Sequence, residues 1–196
     1  MNKEAKIEWD YRNEIHKKII SGTIILSEPF MLDPSFSRSS CLIINHEKHE
    51  GTFGLILNKT IDSKLSKLIK EINKDWKVYY GGPVDPEYLF YVHRNSKIKD
   101  SIKIKDNLYW NGDFEEIKEK INNGEIQENE IKFFLGYSGW DGGQLRREII
   151  ENSWIISNNK DKYIFDNPNV IWKNILKEMG GIYKKFANFP IDPNLN

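Results

Sequence analysis

A glycine-rich segment in the last third of the chain carries the residue types that most directly indicate chemistry. Residues 136–144 read GYSGWDGGQ, after an apolar run and before a helical pattern. A serine on a sharp strand-to-helix turn is typical of hydrolases, whose G-x-S-x-G motif needs small residues around the nucleophile. Gly136 and Ser138 fit this motif, but Trp140 stands where the second glycine is required. His93 is a candidate base, although spacing alone does not bring it to Ser138.

The same segment also has the arrangement of an anion-binding loop. A glycine-rich turn between a strand and a helix presents backbone N–H groups to an anion. However, the segment has neither GK[ST] nor G-x-G-x-x-G, and the carboxylate of Asp141 would repel an anion. In the structural interpretation, the glycines allow a sharp turn and close packing, and Trp140 fills the core. Tyr137, Ser138 and Gln144 could still line a cleft.

A second glycine-rich turn, VYYGGPVDPE at residues 78–87, follows another apolar strand. It is either a tight strand connection stiffened by proline or one wall of a cleft shared with residues 136–144. We predict a binding site in this cleft and no catalytic set. Its predicted residues are Gly82, Pro83, His93, Tyr137, Ser138, Trp140 and Gln144.

The histidines and the single cysteine indicate no metal site. His46 and His49 lie in HEKHEG at residues 46–51, but zinc needs further ligands and no cysteine is nearby. We therefore predict a solvated turn there, no metal and no cofactor. Cys41 lies in the apolar run CLIIN, where a thiol packs as a small hydrophobe; a reactive thiol is the alternative.

Composition limits the classes of partner. The 196 residues carry 29 lysines and arginines against 29 acidic residues, so no global charge attracts nucleic acid or an anionic membrane. Lysines at positions 64, 67, 70, 74 and 77 form one local basic stripe, which a solvated helix face explains. The apolar runs are much shorter than the roughly 20 residues of a membrane-spanning helix. We expect a cytoplasmic protein that binds an unknown protein or small ligand, with direct nucleic-acid binding unlikely and no membrane contact.

The elements that must position these residues follow from periodicity and turn signals. Predicted strands cover 22–27, 40–45, 52–58, 76–82, 87–94, 101–105, 131–136 and 153–157. One predicted helix begins at Asp62 and has apolar positions at helical spacing as far as Ile72, and the others cover 113–123, 143–152 and 168–179. Early hairpins and later strand–helix alternation favour an α+β fold with a mixed sheet. We predict an N-terminal extension at residues 1–19 and a single domain at 20–196.

Four segments, in order, resemble the YqgE/AlgH family over nearly the whole chain after the extension. They are FMLDPSFSRSSCLIINHEKHEGTFGLILNKT, VYYGGPVDPEYLFYVHR, FFLGYSGWDGGQLRREIIENSW and the closing DPNLN. The resemblance implies an α+β fold whose mixed, branched sheet curls into a partial barrel with helices packed outside. Members of this family are largely uncharacterised, and some are labelled transcriptional regulators. The family has no established catalytic set, and its pattern often has alanine where this chain has Ser138.

The resulting functional hypothesis is a cytoplasmic binding or regulatory domain of the YqgE/AlgH type that acts through a protein or a ligand. The alternative is a small-molecule or anion-binding enzyme that uses the glycine-rich turns at 81–84 and 136–144. A third hypothesis, direct DNA binding through the lysine stripe, predicts an affinity that falls steeply with salt.

Overall fold

The computed structural model describes residues 19–157 and 160–190, which form ten strands and five α-helices. The strands are β1 (Ile24–Ser27), β2 (Ser40–Glu47), β3 (Gly51–Ile56), β4 (Thr60–Lys64), β5 (Lys77–Tyr80), β6 (Val84–His93), β7 (Ile102–Lys105), β8 (Leu108–Trp110), β9 (Ile131–Asp141) and β10 (Trp154–Ser157). The helices are α1 (Leu65–Leu68), α2 (Phe114–Asn122), α3 (Gln144–Ile150), α4 (Ile171–Met179) and α5 (Gly181–Phe186).

The sheet is mixed and branches at β9. Its main path is β10-β1-β2-β3-β9-β6-β8-β7, and β4 and β5 join it through β5. Along one edge of β9, residues 133–135 pair with β5 in parallel, and residues 138–141 pair with β3 antiparallel. The path ends at β10 and β7 without closing into a barrel. The predicted α+β fold with a mixed, branched sheet is confirmed, and the curl stops short of closure.

Helices cover both faces of the central strands because the side chains of a strand alternate between faces. On one face, Leu42 and Ile44 of β2 share an apolar cluster with Ile175 of α4. On the other face, Cys41 packs with Leu145 of α3. A third cluster joins α2 to β5 and β9. The apolar run SCLIIN thus places buried side chains on both faces of β2, as expected for a strand between two layers.

The predicted hairpin of β2 and β3 and the predicted helices at 113–123, 143–152 and 168–179 are observed with small shifts in their ends. The side chain of Asp113 accepts a hydrogen bond from the backbone N–H of Glu116 at 3.1 Å and caps α2. Residues 168–170 form a short 3-10 turn before α4 begins at Ile171. The strand β8 was not predicted.

The helix predicted to begin at Asp62 is wrong for most of its length. Residues 60–64 form β4, which pairs with β5, and α1 covers only the four residues Leu65–Leu68. Pairing with β5 keeps residues 60–64 extended despite the helical spacing. The short helix that follows ends after Leu68, because Ile69 is extended, with φ −123°. The five lysines therefore lie on two strands, one short helix and a loop, and they do not form one helical stripe.

The predicted extension lies almost wholly outside the described residues, which begin at Ile19. That residue is buried in the same apolar cluster as Ile25 and Cys41. The closing DPNLN also lies outside the described residues. Among the helices at residues 19–157 and 160–190, none is long and apolar enough to span a bilayer.

Candidate functional site

The two glycine-rich segments form a backbone junction in the centre of the sheet. A turn was predicted at 136–144, but β9 continues to Asp141 and the chain turns only at Gly142 and Gly143. This part of the prediction is wrong because hydrogen bonding to β3 keeps residues 138–141 extended. Gly136, with φ +68°, lies where β9 changes partner from β5 to β3.

Gly81 and Gly82 lie directly against the backbone of β9. A Cβ atom added to Gly81 would lie 2.1 Å from the carbonyl oxygen of Gly136, and one added to Gly82 would lie 2.2 Å from the carbonyl carbon of Tyr137. The 81–84 and 136–144 segments are therefore in contact, without a cleft between them. Pro83 follows at the surface.

Ser138 and His93 are both fully buried and lie far apart. The Ser138 hydroxyl donates to the Gly81 carbonyl at 3.0 Å. His93 pairs with Ile131 at the opposite end of β9, about 20 Å away for seven residues of strand. The Nε2 atom of His93 lies 2.8 Å from the Asn111 carbonyl, and burial lowers the pKa of the imidazole. The two side chains cannot form a nucleophile–base pair in this geometry.

Cys41 packs beside the same junction. The thiol is buried, and a Cβ atom added to Gly54 of β3 would lie 2.8 Å from its sulfur. Burial raises the pKa of the thiol to about 12. Because the thiolate is the reactive form, Cys41 acts as a small apolar side chain, and the predicted packing role is confirmed.

Trp140 and Gln144 belong to a hydrogen-bonded network centred on Glu148 of α3. The indole N–H groups of Trp140 and Trp154 both donate to Oε2 of Glu148, at 2.9 and 2.8 Å. The amide of Gln144 donates to Oε1 of Glu148 at 2.8 Å, and its oxygen accepts from the Asp141 N–H at 2.9 Å. Sequence analysis did not single out Glu148, which links α3 to β9 and β10.

Replacing Glu148 with alanine should destabilise the fold, because two indole N–H groups lose a charged acceptor. We expect Glu148→Ala to lower the free energy of unfolding by about 2 kcal/mol. Urea denaturation followed by tryptophan fluorescence measures this loss. Glu148→Gln keeps an acceptor and should lose about half as much. The matched control Glu151→Ala removes an exposed carboxylate near the end of the same helix; an equal loss there would contradict the network's role.

A groove of about 460 Å³ lies beside the junction, between the β2–β3 hairpin and the meeting point of β6 and β9. We call it the acidic groove. It is lined by Asn45, Glu47, Glu50, Gly51, Thr52, Phe53, Val84, Tyr137, Gly139, Trp140 and Asp141. Of the predicted site residues, Tyr137 and Trp140 line it, whereas the others lie outside it.

Aromatic rings form the apolar part of the acidic groove. The rings of Phe53 and Tyr137 are 4.7 Å apart between centroids. Phe90 contacts both rings edge-on, at 5.6 and 5.8 Å, and Trp110 lies 5.3 Å from Phe53. Gly139 places no side chain against the half-buried ring of Tyr137, since an added Cβ atom would lie 3.3 Å from Cε2 of that ring.

Three carboxylates give the acidic groove its charge. Glu47, Glu50 and Asp141 are exposed, and the described residues that line the groove include no lysine or arginine. Within residues 19–157 and 160–190, none of the three carboxylates forms an ion pair. The same residues contain no cluster of three or more side chains that could hold a metal ion. The groove therefore combines negative charge with aromatic surface.

Sequence reasoning missed Phe53, Glu47 and Glu50 as lining residues. A signal existed for Phe53, because the alternation of TFGLIL places it on the opposite face of β3 from Gly54. The two glutamates lie in the HEKHEG turn, which was considered only for metal binding. Their proximity to Asp141 depends on the pairing of Gly51 with Asp141, a contact between residues far apart in sequence.

Known proteins resemble this chain along most of its length. A sequence model described as AlgH-like matches residues 24–184. A UPF0301 protein of Cytophaga hutchinsonii is 41% identical over 183 residues, covering 91% of this chain and 100% of the relative. A UPF0301 protein of Parabacteroides distasonis is 41% identical over 182 residues, covering 90% of this chain and 91% of the relative.

Two solved structures have the same fold. A crystal structure of a Corynebacterium diphtheriae protein has a TM-score of 0.75 and 21% identity, covering 87% of this chain and 93% of that chain. The solution structure of the AlgH protein from Pseudomonas aeruginosa has a TM-score of 0.67 and 21% identity, covering 87% and 94%. At this identity the two structures support the architecture.

Proposed function

The chain belongs to the uncharacterised AlgH-like (YqgE/AlgH, UPF0301) family, and from that premise we propose that it is a binding domain whose acidic groove holds a basic segment of a partner protein. The observation that carries this proposal is the pairing of half-buried aromatic rings with three carboxylates that form no ion pair with any described residue. A regulatory role would then act through the bound protein, in the cytoplasm.

The chemistry of the groove favours an arginine or lysine side chain. A cation over the face of Tyr137 or Phe53 gains about 0.5–2 kcal/mol from the ring quadrupole. Glu47, Glu50 and Asp141 attract the same charge from the rim. Arginine suits this environment best because its planar guanidinium can stack on a ring while it donates to a carboxylate.

The charge of the groove disfavours the other partner classes. Nucleic acid binds through cations that neutralise phosphates, and the carboxylates of the groove would repel those phosphates. The alternative of an enzyme built on the glycine-rich segments has less support, because Ser138 is buried and its hydroxyl is bonded to Gly81. A protein segment of positive charge remains the best match.

A titration with model peptides tests the proposal. The probe is a short peptide of alternating glycine and arginine, and the control peptide has glutamate in place of arginine. We expect the arginine peptide to shift the backbone amide signals of Phe53, Tyr137 and Gly139 in NMR spectra, and to do so less at high salt. The glutamate peptide should shift none of these signals.

Paired substitutions test whether the arginine peptide binds to the groove itself or to negative surface charge in general. Glu50→Gln with Asp141→Asn should weaken binding of the arginine peptide about fivefold, because each rim charge contributes a fraction of a kcal/mol. The control pair Glu115→Gln with Glu119→Gln removes two exposed charges from α2 and should leave the affinity unchanged. Equal effects of the two pairs, or unshifted groove signals, would overturn the proposal.

A further inference from the structure

A second cavity, of about 400 Å³, has the opposite charge. It lies between the loop that precedes β2 and the C-terminal helices. Arg38, Lys59 and Lys173 line it, and Trp172 of α4 contributes an aromatic wall. None of the described residues that line it is an aspartate or a glutamate. We call it the basic cavity.

Arg38, which lines the basic cavity, has a strained backbone conformation. Its φ of +51° lies in the left-handed region, which costs a residue with a side chain about 1 kcal/mol or more. Asn58 holds this conformation: its Nδ2 donates to the Arg38 carbonyl at 2.8 Å, and its Oδ1 accepts from the Ser40 N–H at 2.7 Å. Such strain persists where the surrounding structure enforces it, and it is often found at binding sites.

The guanidinium of Arg38 interacts with an aromatic ring and two backbone carbonyls, which balance its charge only in part. It lies 5.2 Å from the ring centroid of Trp172 and donates to the carbonyls of Phe189 and Pro190, at 2.7 and 2.5 Å. Its Nε atom is buried without a hydrogen-bond partner, and burial lowers the pKa of the group. In the described part of the chain, no carboxylate forms an ion pair with it.

The two lysines of the cavity are similarly unpaired with acids among the described residues. The Lys59 amine donates to the Pro34 carbonyl at 2.6 Å, and burial lowers its pKa although the nearby charge of Asp33 raises it. Lys173 is exposed on α4 and has no ion pair in the described residues. Three cationic side chains therefore line one small cavity, and among the described residues they are offset only by carbonyl dipoles, the Trp172 ring and the nearby charge of Asp33.

We propose that the basic cavity binds a small dianion of the phosphate class. A tetrahedral dianion carries more charge and more acceptor oxygens than a carboxylate, which matches three cations and their several N–H donors. The volume suits a small phosphorylated ligand or free phosphate and is too small for a duplex. The site shares no residue with the acidic groove, so it can be tested separately.

Titration with inorganic phosphate tests this proposal directly. We expect phosphate to shift the NMR signals of Arg38, Asn58 and Trp172 in a saturable manner, and acetate at the same ionic strength to leave them unchanged. A phosphorylated metabolite, such as a sugar phosphate, should compete at the same signals if the natural ligand is larger than phosphate. Both results support the class, and their relative affinities distinguish free phosphate from a phosphate ester.

Matched variants on one helix provide the decisive comparison. Lys173→Met removes an exposed cation that lines the cavity and should weaken phosphate binding about threefold or more. Lys177→Met removes an exposed cation one turn later on α4, outside the cavity lining, and should leave the affinity unchanged. Absence of saturable shifts, equal binding of acetate, or equal losses in the two variants would overturn the proposal.

Discussion

Replacing Gly81 with alanine should lower the free energy of unfolding by about 4 kcal/mol or prevent folding altogether. The added Cβ atom would lie 2.1 Å from the Gly136 carbonyl oxygen. Side-chain rotation cannot relieve this clash, because the positions of both atoms are fixed by the backbone. The Gly81 carbonyl also accepts hydrogen bonds from the Ile56 N–H and the Ser138 hydroxyl, at 3.0 Å each. Displacing this residue would therefore disturb three strands at once. Urea denaturation followed by circular dichroism measures the loss.

Gly124 provides the control for this prediction. It has a φ of +77° and no atom within 4 Å of an added Cβ atom, so Gly124→Ala tests backbone strain without a clash. We expect a loss of about 1 kcal/mol there. Similar losses for both variants would contradict the close backbone contact at Gly81.

The free energy of unfolding of the wild-type protein should rise with pH because of Lys132, and replacing Lys132 with methionine should abolish that rise. Lys132 is 3% exposed, and its amine donates to the carbonyls of Leu57 and Asp166 at 3.2 Å and lies 4.3 Å from the ring centroid of Tyr79. Burial lowers its pKa to about 7, although the nearby charge of Asp166 raises it slightly. The unfolded chain keeps a lysine pKa near 10.5.

The sign of the pH effect follows from these two pKa values. Between them, the unfolded chain binds one more proton than the folded protein, so stability rises with pH. The free energy of unfolding should rise by about 2 kcal/mol more in the wild-type protein than in Lys132→Met between about pH 7 and pH 9. The lost hydrogen bonds give only an offset independent of pH, so denaturation series at several pH values isolate the slope.

The exposed Lys97 offers a matched control for the pH series. Lys97→Met removes the same charge from the surface and should follow the wild-type curve across the whole range. Parallel curves for the wild-type protein and Lys132→Met would show that the buried amine does not change its protonation in this pH range. That result would contradict the lowered pKa of Lys132.

Local patterns were sufficient for much of the fold. The apolar runs SCLIIN and TFGLIL, separated by a short polar turn, predict the β2–β3 hairpin, because these signals lie close together in the chain. The capping-box-like pair of Asp113 and Glu116 predicts the start of α2 in the same local way. The 62–77 segment shows where local patterns fail: its helical spacing is genuine, but pairing between β4 and β5 stabilises an extended chain instead. Of the predicted site residues, Tyr137 and Trp140 line the acidic groove. The predicted cleft between residues 81–84 and 136–144 does not exist, because these two segments are in direct contact.

The sequence by itself determined the family and the α+β class, because these depend on motifs in order and on local periodicity. The tertiary structure alone decided which side chains share a surface. Gly51 pairs with Asp141, and this pairing brings the HEKHEG carboxylates to the aromatic rings of β3 and β9. Arg38, Lys59 and Lys173 likewise meet only through packing of the loop before β2 against α4. The contacts of Gly51 with Asp141 and of Arg38 and Lys59 with Lys173 join residues about 90 to 135 positions apart, beyond the reach of any local periodicity.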